Sequence, residues 1–325
     1  MSPIFTKSVC YNEMRGGDNM KQSIMLGNGV NRCMFSNISW GDLLDDIAKD
    51  YKNVKLNKNI SFPMQFENLI NQILDNEDDP SDDLYNEIKR RIIERLKEAE
   101  AELPEEKLTL HKSFAQSADA IITTNYDFLI EKSLDEVILF PKGSKNNKYN
   151  INNFVKVAGK NVYHIHGDLQ HVNSICLGYE HYAGTLQHLR GELAKKKKEY
   201  GDKPAIIWAL EKQENVLNTW AEKFFTDNID IVGLGLTQSE IDIWWLITYR
   251  AFLYYSNRFG ARDLIQNTIR YHEISTKPDK DMEYALSKCH VEYRFHEIKK
   301  IEDSDYFEAY NKIAEELKKA ADSAG

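Results

Sequence analysis

Short apolar segments that stop at glycine or polar residues recur along the chain and alternate with segments of helical periodicity. The strand candidates lie at 23–29, 120–123, 161–165, 204–208, 229–233 and 268–274. The main helical patterns lie at 40–50, 128–134, 215–225, 240–255 and 305–321. Brief apolar runs that alternate with helices are typical of parallel strands whose two faces are both covered. The pattern therefore predicts an α/β protein built on a doubly wound parallel sheet.

One region interrupts this alternation. Between 65 and 117 two apolar stripes follow each other at helical spacing, formed by Phe66, Leu69, Ile70 and Ile73 and then by Leu84, Ile88, Ile92 and Leu96. We predict a single domain over 1–325, with a Rossmann-like doubly wound parallel sheet, a helical insertion at 51–118 and a helical or loop insertion at 178–203. The second insertion contains four lysines at 195–198, which are predicted to lie on the solvated face of a helix.

Charge balance and cysteine spacing exclude several classes of protein. Asp and Glu total 51 against 42 Lys and Arg, so the formal net charge of −9 does not favour a polyanionic partner. The four cysteines are too widely spaced for a zinc ribbon or a disulfide framework, which favours a reducing compartment. The first twenty residues lack the apolar core of a signal peptide, and the most apolar stretch, 241–255, is too short to span a bilayer. These features predict a soluble cytoplasmic protein.

The first strand candidate ends in a glycine-containing segment. Gly27 and Gly29 would let the backbone approach a phosphate group closely, and the helix that follows could present its positive end. Asn28, Asn31 and Arg32 complete this segment, and Arg32 stands where the dinucleotide fingerprint has its third glycine. A structural turn explains the two glycines equally well.

Polar side chains follow the next two strand candidates. Thr124, Asn125 and Asp127 come after the second one, where they could serve a binding site or cap the helix that follows. His166 and Gly167 come after the third, and an imidazole at this rim could accept a proton near neutral pH. Ligands of open α/β sheets bind beyond the carboxyl ends of the strands, so these residues are candidate site residues.

His164 and His166 share one side of their strand, and Asp168 follows if the strand continues. These three residues are therefore an alternative metal site. A hydrogen-bonded core histidine is the simpler interpretation of His164.

The strand candidate at 229–233 also ends in small residues. Gly233, Gly235 and Leu236 would bring the backbone close to a ligand, and Ser239 could cap the helix that follows. Two acidic residues are then predicted to interact favourably with the positive end of that helix: Glu240 and Asp242.

These four segments, in this order, resemble the sirtuin-like superfamily, and in particular its bacterial branch of NAD-hydrolysing antiphage defence proteins, over roughly 24–242. The sequence Thr-Thr-Asn-Tyr-Asp at 123–127 is similar to the family's Asn-x-Asp segment, and His-Gly-Asp at 166–168 to its catalytic His-Gly. Three further segments resemble the phosphate loop, a Trp-x-x-Leu-Leu stretch and the late glycine segment: 27–29, 40–44 and 233–236. Classical deacylases of the superfamily carry a four-cysteine zinc module before the late glycine segment. Only Cys176 lies there, which favours simple NAD cleavage over acyl-lysine removal.

The resemblance implies an NAD+ hydrolase that releases nicotinamide and ADP-ribose without a metal. Asn125 would position the ribose and a water molecule, His166 would be the general base, and Asp127 would orient this network. The remaining residues implied to contact NAD are Gly27, Asn28, Gly29, Asn31, Arg32, Thr124, Gly233, Gly235, Leu236 and Ser239.

The resemblance also implies a role as an abortive-infection effector that is activated by oligomerisation or by a separate protein encoded nearby. No membrane partner is expected, and nucleic acid would act only through such a protein. Three alternatives remain open: a sensor that binds NAD or ADP-ribose without cleaving it, a metal-dependent hydrolase that uses His164, His166 and Asp168, and a residual protein deacylase that releases nicotinamide only with an acylated peptide.

Overall fold

A seven-stranded sheet organises the chain. The computed structural model describes residues 20–33, 40–78, 81–134, 138, 148–149, 151–212 and 217–324. The strands are β1 (Gln22–Leu26), β2 (Ala120–Thr123), β3 (Val155–Val157), β4 (Lys160–His164), β5 (Asn228–Val232), β6 (Ile269–Ser275) and β7 (Glu292–Glu297). Their order is β3-β4-β2-β1-β5-β6-β7, and every pair is parallel except β3 with β4. The predicted α/β, Rossmann-like doubly wound sheet is confirmed.

Helices connect the strands and cover the sheet. In chain order they are α1 (Gly29–Arg32), α2 (Trp40–Ala48), α3 (Phe62–Asn76), α4 (Leu84–Ala101), α5 (Thr109–Gln116), α6 (Leu129–Ser133), α7 (Tyr179–Leu193), α8 (Ala205–Lys212), α9 (Lys223–Thr226), α10 (Ile241–Ser256), α11 (Ala261–Leu264), α12 (Lys280–Lys288) and α13 (Asp303–Ala324). None of the helices in the described ranges is long and apolar enough to cross a membrane.

The central strands β1, β2 and β5 are almost entirely buried on both faces, and most of their side chains are apolar. In β1, Met25 belongs to an apolar cluster on one face, together with Ile122 and Phe224. Its neighbour Ile24 belongs to the cluster on the opposite face, together with Phe114. Successive side chains of a strand point to opposite faces, so one short segment supplies both cores.

A third apolar core lies within the helical insertion. The two stripes predicted from the sequence form the buried faces of α3 and α4, where Phe66 and Ile92 are fully buried. They pack with Leu44 of α2 and with Tyr126 and Leu177 from the loops beside the sheet. The insertion is therefore joined through side-chain packing to the carboxyl edge of the sheet.

The strand register aligns the carboxyl ends of the central strands. Leu26 of β1 pairs with Thr123 of β2 on one side and with Val232 of β5 on the other. Thr123 in turn pairs with His164 of β4. The segments that follow these strands therefore emerge side by side along one rim.

Several sequence predictions are wrong in detail. The predicted strand at 204–208 is the start of α8, whose Ile206 and Ile207 are fully buried. A short apolar run buried on all sides has no periodicity that separates strand from helix. The sequence also missed β3 and β7; β3 turns into β4 through Ala158 and Gly159, both with positive φ as in a tight hairpin.

Two further predictions concern a polar region and a region that the structure describes only in part. The lysines at 195–198 follow α7 rather than lying on it; Lys196 pairs with Pro204 in an isolated bridge, and Lys198 begins a 3-10 turn. Of the helix predicted at 215–225, the first residues lie outside the described ranges. The remainder forms a 3-10 turn, Trp220–Glu222, that continues into the short α9. The signal-peptide prediction for the first residues falls mostly on 1–19, outside the described residues.

Candidate active site

A cleft of about 380 Å³ opens where the segments after β2, β4 and β5 meet the segment before and within α3; no described residue of the segment after β1 lines it. Thr124 and Tyr126 line it after β2, His166 after β4, and residues 237–240 after β5. The remaining lining residues are 60–63, which lead into α3, and Tyr182 of α7. The cleft lies at the place where ligands bind in doubly wound sheets.

His166 is held by a buried acidic residue from the helix that follows β5. Its Nε2 lies 3.0 Å from Oδ2 of Asp242 on α10, and both side chains are buried. An ionised carboxylate only accepts hydrogen bonds, so this contact assigns a proton to Nε2 and leaves Nδ1 as the basic nitrogen of the neutral ring. Tyr182 packs edge-on against the same ring, with 5.2 Å between the ring centroids. His166 is therefore oriented and can accept a proton.

Two carboxylates control the charge of His166. Burial alone would lower its pKa, but Asp242 and Glu240 outweigh burial and raise the pKa above the ordinary value of 6.5. Glu240 Oε2 lies 4.0 Å from Nε2 and is buried without a hydrogen-bond partner among the described residues. Burial raises the pKa of Glu240 to about 7. The Glu240 carboxyl group therefore gains or loses its proton close to neutral pH.

Asn125 presents an unsatisfied polar atom. Its side chain is 2% exposed, and Oδ1 has no hydrogen-bond partner in the described part of the chain. Its backbone N–H donates to Oγ1 of Thr123 at 3.0 Å, and its Nδ2 lies 3.5 Å from the Gly27 carbonyl. A buried amide oxygen without a partner is costly unless a ligand supplies the donor. Asn125 therefore fits a residue that binds a hydroxyl group or water.

His164 supports Asn125 from behind. Its Nδ1 lies 2.9 Å from the Asn125 carbonyl oxygen and its Nε2 lies 2.8 Å from Oε1 of Glu131 on α6. Burial disfavours the charged ring, but Glu131 outweighs burial and raises the pKa of His164 to about 9. Both acceptors are then satisfied by an imidazolium, which donates from both nitrogens. The interpretation of His164 as a hydrogen-bonded core histidine is confirmed.

Asp127 bonds to structural partners. Its Oδ2 accepts a hydrogen bond from Nδ2 of Asn31 at 2.7 Å, and its Oδ1 accepts from the Leu129 N–H at the start of α6 at 3.2 Å. Oδ1 of Asn31 lies 2.8 Å from Nε2 of His111. Burial raises the pKa of Asp127 to about 6. These contacts favour the capping interpretation of Asp127 and a structural interpretation of Asn31.

The first glycine segment packs against the segment after β5. A Cβ atom at Gly27 would lie 2.5 Å from the Gly233 carbonyl oxygen, and one at Gly29 would lie 2.5 Å from the Tyr310 hydroxyl. The Gly27 N–H donates to the Val232 carbonyl, and the Gly29 N–H donates to the Gly233 carbonyl at 2.8 Å. The structural interpretation of the two glycines is therefore sufficient to explain them. Arg32, at the end of α1, is exposed, and Asn28 is half-buried.

The segment after β5 supplies a different surface. Gly235 is exposed and has open space around it, while Leu236 is buried and adopts a positive φ of 41°. Oγ of Ser239 bonds to the Thr237 hydroxyl at 2.7 Å and does not cap α10. The predicted capping role of Ser239 is therefore wrong, and its side chain lies at the cleft wall with Thr237.

One group of residues has the geometry of a metal site. Ligand atoms of His166, Glu240 and Asp242 lie within 4.8 Å of one another, and this is the one such group in the described part of the chain. His164 and Asp168 are not part of it: both ring nitrogens of His164 have other partners, and both oxygens of Asp168 lie 2.9 Å from Nδ1 of His171. The alternative metal site made of His164, His166 and Asp168 is therefore wrong in its ligands.

Sequence reasoning assigned Glu240 and Asp242 to the helix terminus and missed their contact with His166. Asp242 is fully buried in the first turn of α10. No local pattern signals this contact, because an acid at a helix start is favourable whether it faces water or turns inward.

Comparison with a known protein family supports the fold described above. Residues 119–230 match the model of the SIR2-like domain. The matched range contains Asn125 and His166 and ends in β5, before Asp242. No curated protein matches the chain. The match supports a sirtuin-like fold and points to a function connected with NAD.

Proposed function

We propose that the protein is an NAD+ hydrolase that releases nicotinamide and ADP-ribose. One observation carries the proposal: His166 lines the cleft and is paired with the buried Asp242, and Asn125, whose buried Oδ1 has no partner among the described residues, stands in the chain between two further lining residues, Thr124 and Tyr126. The domain match supports NAD as the substrate class. The cleft volume of about 380 Å³ lies within the range of small-molecule sites, roughly 300–1,000 Å³.

The residues fit the chemistry of glycosidic cleavage. The bond between the anomeric carbon and nicotinamide breaks, and nicotinamide leaves as a neutral molecule with the electron pair. Water attacks the anomeric carbon of the oxocarbenium-like state and gives a proton to Nδ1 of His166. Oδ1 of Asn125 accepts a hydrogen bond from a ribose hydroxyl or from this water, and Asp242 stabilises the imidazolium that forms.

A metal-dependent hydrolase is a second candidate, favoured by the clustered ligand atoms of His166, Glu240 and Asp242. These residues fit a divalent cation through one nitrogen and carboxylate oxygens. Such an ion would supply an activated water molecule. In that case His166 would hold the ion and would not act as the base.

The proposal includes a role as an abortive-infection effector that requires oligomerisation or a partner protein for activity. Unregulated NAD+ cleavage would kill the host cell, so the activity has to be controlled. Exposed aromatic side chains on α10 support an association surface: Phe252 is 50% exposed and Tyr255 is 49% exposed. Size-exclusion chromatography and co-purification test this part, and a stable, partnerless monomer that hydrolyses NAD+ by itself would contradict it.

The direct test measures nicotinamide and ADP-ribose release from NAD+ by the purified protein, alone and with its neighbouring gene product. We expect Asn125→Ala and His166→Ala to abolish release and to keep the native circular dichroism spectrum. Asn76→Ala and His188→Ala are matched controls, because Asn76 and His188 are exposed and lie outside the cleft lining.

The outcome separates the candidate functions. Release that survives EDTA and disappears in both site variants supports the metal-free hydrolase. Normal release by His166→Ala would overturn it. NAD+ binding without any product would favour the sensor that binds NAD or ADP-ribose without cleaving it.

A further inference from the structure

A second cavity, also of about 380 Å³, lies between α4 and the first turn of α7. It shares no lining residue with the cleft that contains His166. Its charged lining residues are Lys89, Lys148 and Glu180, and His181 also lines it. The cavity therefore brings two cationic side chains to one space outside the proposed active site.

Lys89 is a buried cation without an anionic partner. It is 2% exposed, and its Nζ lies 2.8 Å from Nε2 of His181. No carboxylate of the described residues lies within ion-pair distance of this Nζ. Burial of an ammonium group costs several kcal/mol unless an opposite charge compensates it, on the order of the penalties known for buried ions. Burial indeed lowers the pKa of Lys89 to about 8, so the group is still mostly charged at neutral pH.

His181 does not fully satisfy this ammonium. Burial and the two nearby lysines lower the pKa of His181 to about 3, so the ring is neutral. Two donors face it: the Lys89 ammonium at Nε2 and the Gly178 N–H at Nδ1, 3.3 Å away. A neutral imidazole accepts only one hydrogen bond, so these donors compete for a single lone pair. Lys89 thus retains hydrogen-bonding capacity towards the cavity.

Lys148 adds a second positive charge at the mouth of the cavity. Its Nζ lies 2.5 Å from Oε1 of Glu180, so the charge of this carboxylate is already compensated. The lining then carries one uncompensated positive charge, located on Lys89. A multiply charged anion with several acceptor oxygens satisfies both lysines better than a single carboxylate does.

We propose that this cavity is a second anion-binding site, which takes the phosphate group of a small phosphorylated ligand between Lys89 and Lys148. Its volume holds a phosphate group together with a small organic body. Consecutive residues also link this site to the proposed active site, because His181 lines the cavity and the next residue, Tyr182, packs its ring against His166. The proposal goes beyond NAD+ hydrolysis and does not depend on it.

Calorimetric titration with inorganic pyrophosphate tests the site without NAD+. We expect saturable binding to the wild-type protein and to His166→Ala, because the cleft residue is not involved. Lys89→Met should weaken binding at least about tenfold, as loss of a charge-assisted contact does. Met has a similar volume to Lys and removes the buried charge, so the variant should fold at least as stably as the wild type.

Two further variants make the result decisive. Lys148 lies at the accessible rim of the cavity, so Lys148→Gln should fold even if Lys89→Met does not. It should weaken pyrophosphate binding several-fold. Lys203→Met is the matched control, because Lys203 forms its ion pair with Glu211 outside the cavity; it should bind like the wild type. Unchanged affinity in Lys148→Gln and in folded Lys89→Met, or no saturable binding to the wild type up to about 10 mM pyrophosphate, would overturn the proposal.

Discussion

His166 and Asp242 are separated by 76 residues in the chain, yet their buried side chains are in direct contact, with 3.0 Å between Nε2 and Oδ2. The contact joins the segment after β4 to the first turn of α10. It fixes which ring nitrogen carries the proton, and it makes the basicity of His166 depend on a residue outside the His-Gly segment.

Asp242→Asn should change the pH dependence of NAD+ hydrolysis as well as its rate. The base must be unprotonated, and the carboxylates raise the pKa of His166, so wild-type kcat should increase with pH through a value above 6.5. Removal of the Asp242 charge lowers this pKa and should move the acid limb of the profile to lower pH. We expect kcat at its plateau to fall at least about tenfold, because the ring loses its orientation.

The control for this experiment is Asp168→Asn. Asp168 lies two residues from His166 but bonds to His171, so the acid limb should stay at its wild-type position. An unchanged limb in Asp242→Asn would show that the pair does not set the basicity of the catalytic group.

His164 should make stability depend on pH. Its pKa is raised from 6.5 to about 9 in the folded state. The stabilisation is therefore fully present below pH 6.5 and is lost as the pH rises through about 9, with an upper limit of about 3 kcal/mol. Urea unfolding at pH 6 and at pH 9 measures this loss.

His164→Gln lacks the titrating group, so the part of the pH dependence due to this residue should disappear in the variant. The variant should also hydrolyse NAD+ more slowly, because the Asn125 carbonyl loses its donor. If the stabilities of the wild type and of His164→Gln changed in parallel between pH 6 and pH 9, the assignment of a charged His164 would be contradicted.

Gly27→Ala should destabilise the fold, because its Cβ would lie 2.5 Å from the Gly233 carbonyl oxygen and 2.6 Å from Leu234 Cα. Backbone atoms on both sides cannot yield locally, so we expect a loss of about 1–3 kcal/mol in the free energy of unfolding. Gly191→Ala is the matched control: Gly191 lies in α7, and a Cβ there meets nothing within 4 Å. It should stabilise the protein by about 0.5–1 kcal/mol. Equal stabilities of the two variants in urea would contradict the close packing of the two glycine segments.

EDTA should leave NAD+ hydrolysis unchanged, because in the proposed mechanism His166 accepts the proton itself and needs only its partner Asp242. The measurement is the rate of nicotinamide release before and after dialysis against the chelator. Loss of activity that one equivalent of a divalent cation restores, in the wild type but not in Glu240→Gln, would instead support the metal-dependent candidate built on the three clustered residues.

The sequence predicted the central sheet well for a physical reason. β1, β2 and β5 are short, mostly apolar strands buried on both faces, and β4 has a buried apolar pair at its centre; such apolar runs end where polar residues begin. Because their ends are in register, residues that follow different strands become neighbours. Asn125 and His166 were predicted to be near each other on this basis, and Thr123 and His164 pair directly beneath them.

Features that depend on tertiary packing were not predicted. Nothing local in the sequence distinguishes an acid that faces water at a helix start from one that turns inward, as Asp242 does. Asn31 and Asp127 have residue types suited to ligand binding, yet they bond to each other across the rim. The isolated apolar run that begins α8 lacked the length that identifies a helix.

The packed glycine segments have a consequence for how substrate reaches the cleft. Gly27 and Gly29 are held to Gly233 by backbone contacts at the point where the strand order reverses, so the segment after β5 that continues to cleft residues 237–240 starts from a fixed point. Residues 60–63 also line the cleft but lead into α3, outside the sheet. We therefore expect any widening of the entrance to come from the segment before α3 rather than from the sheet.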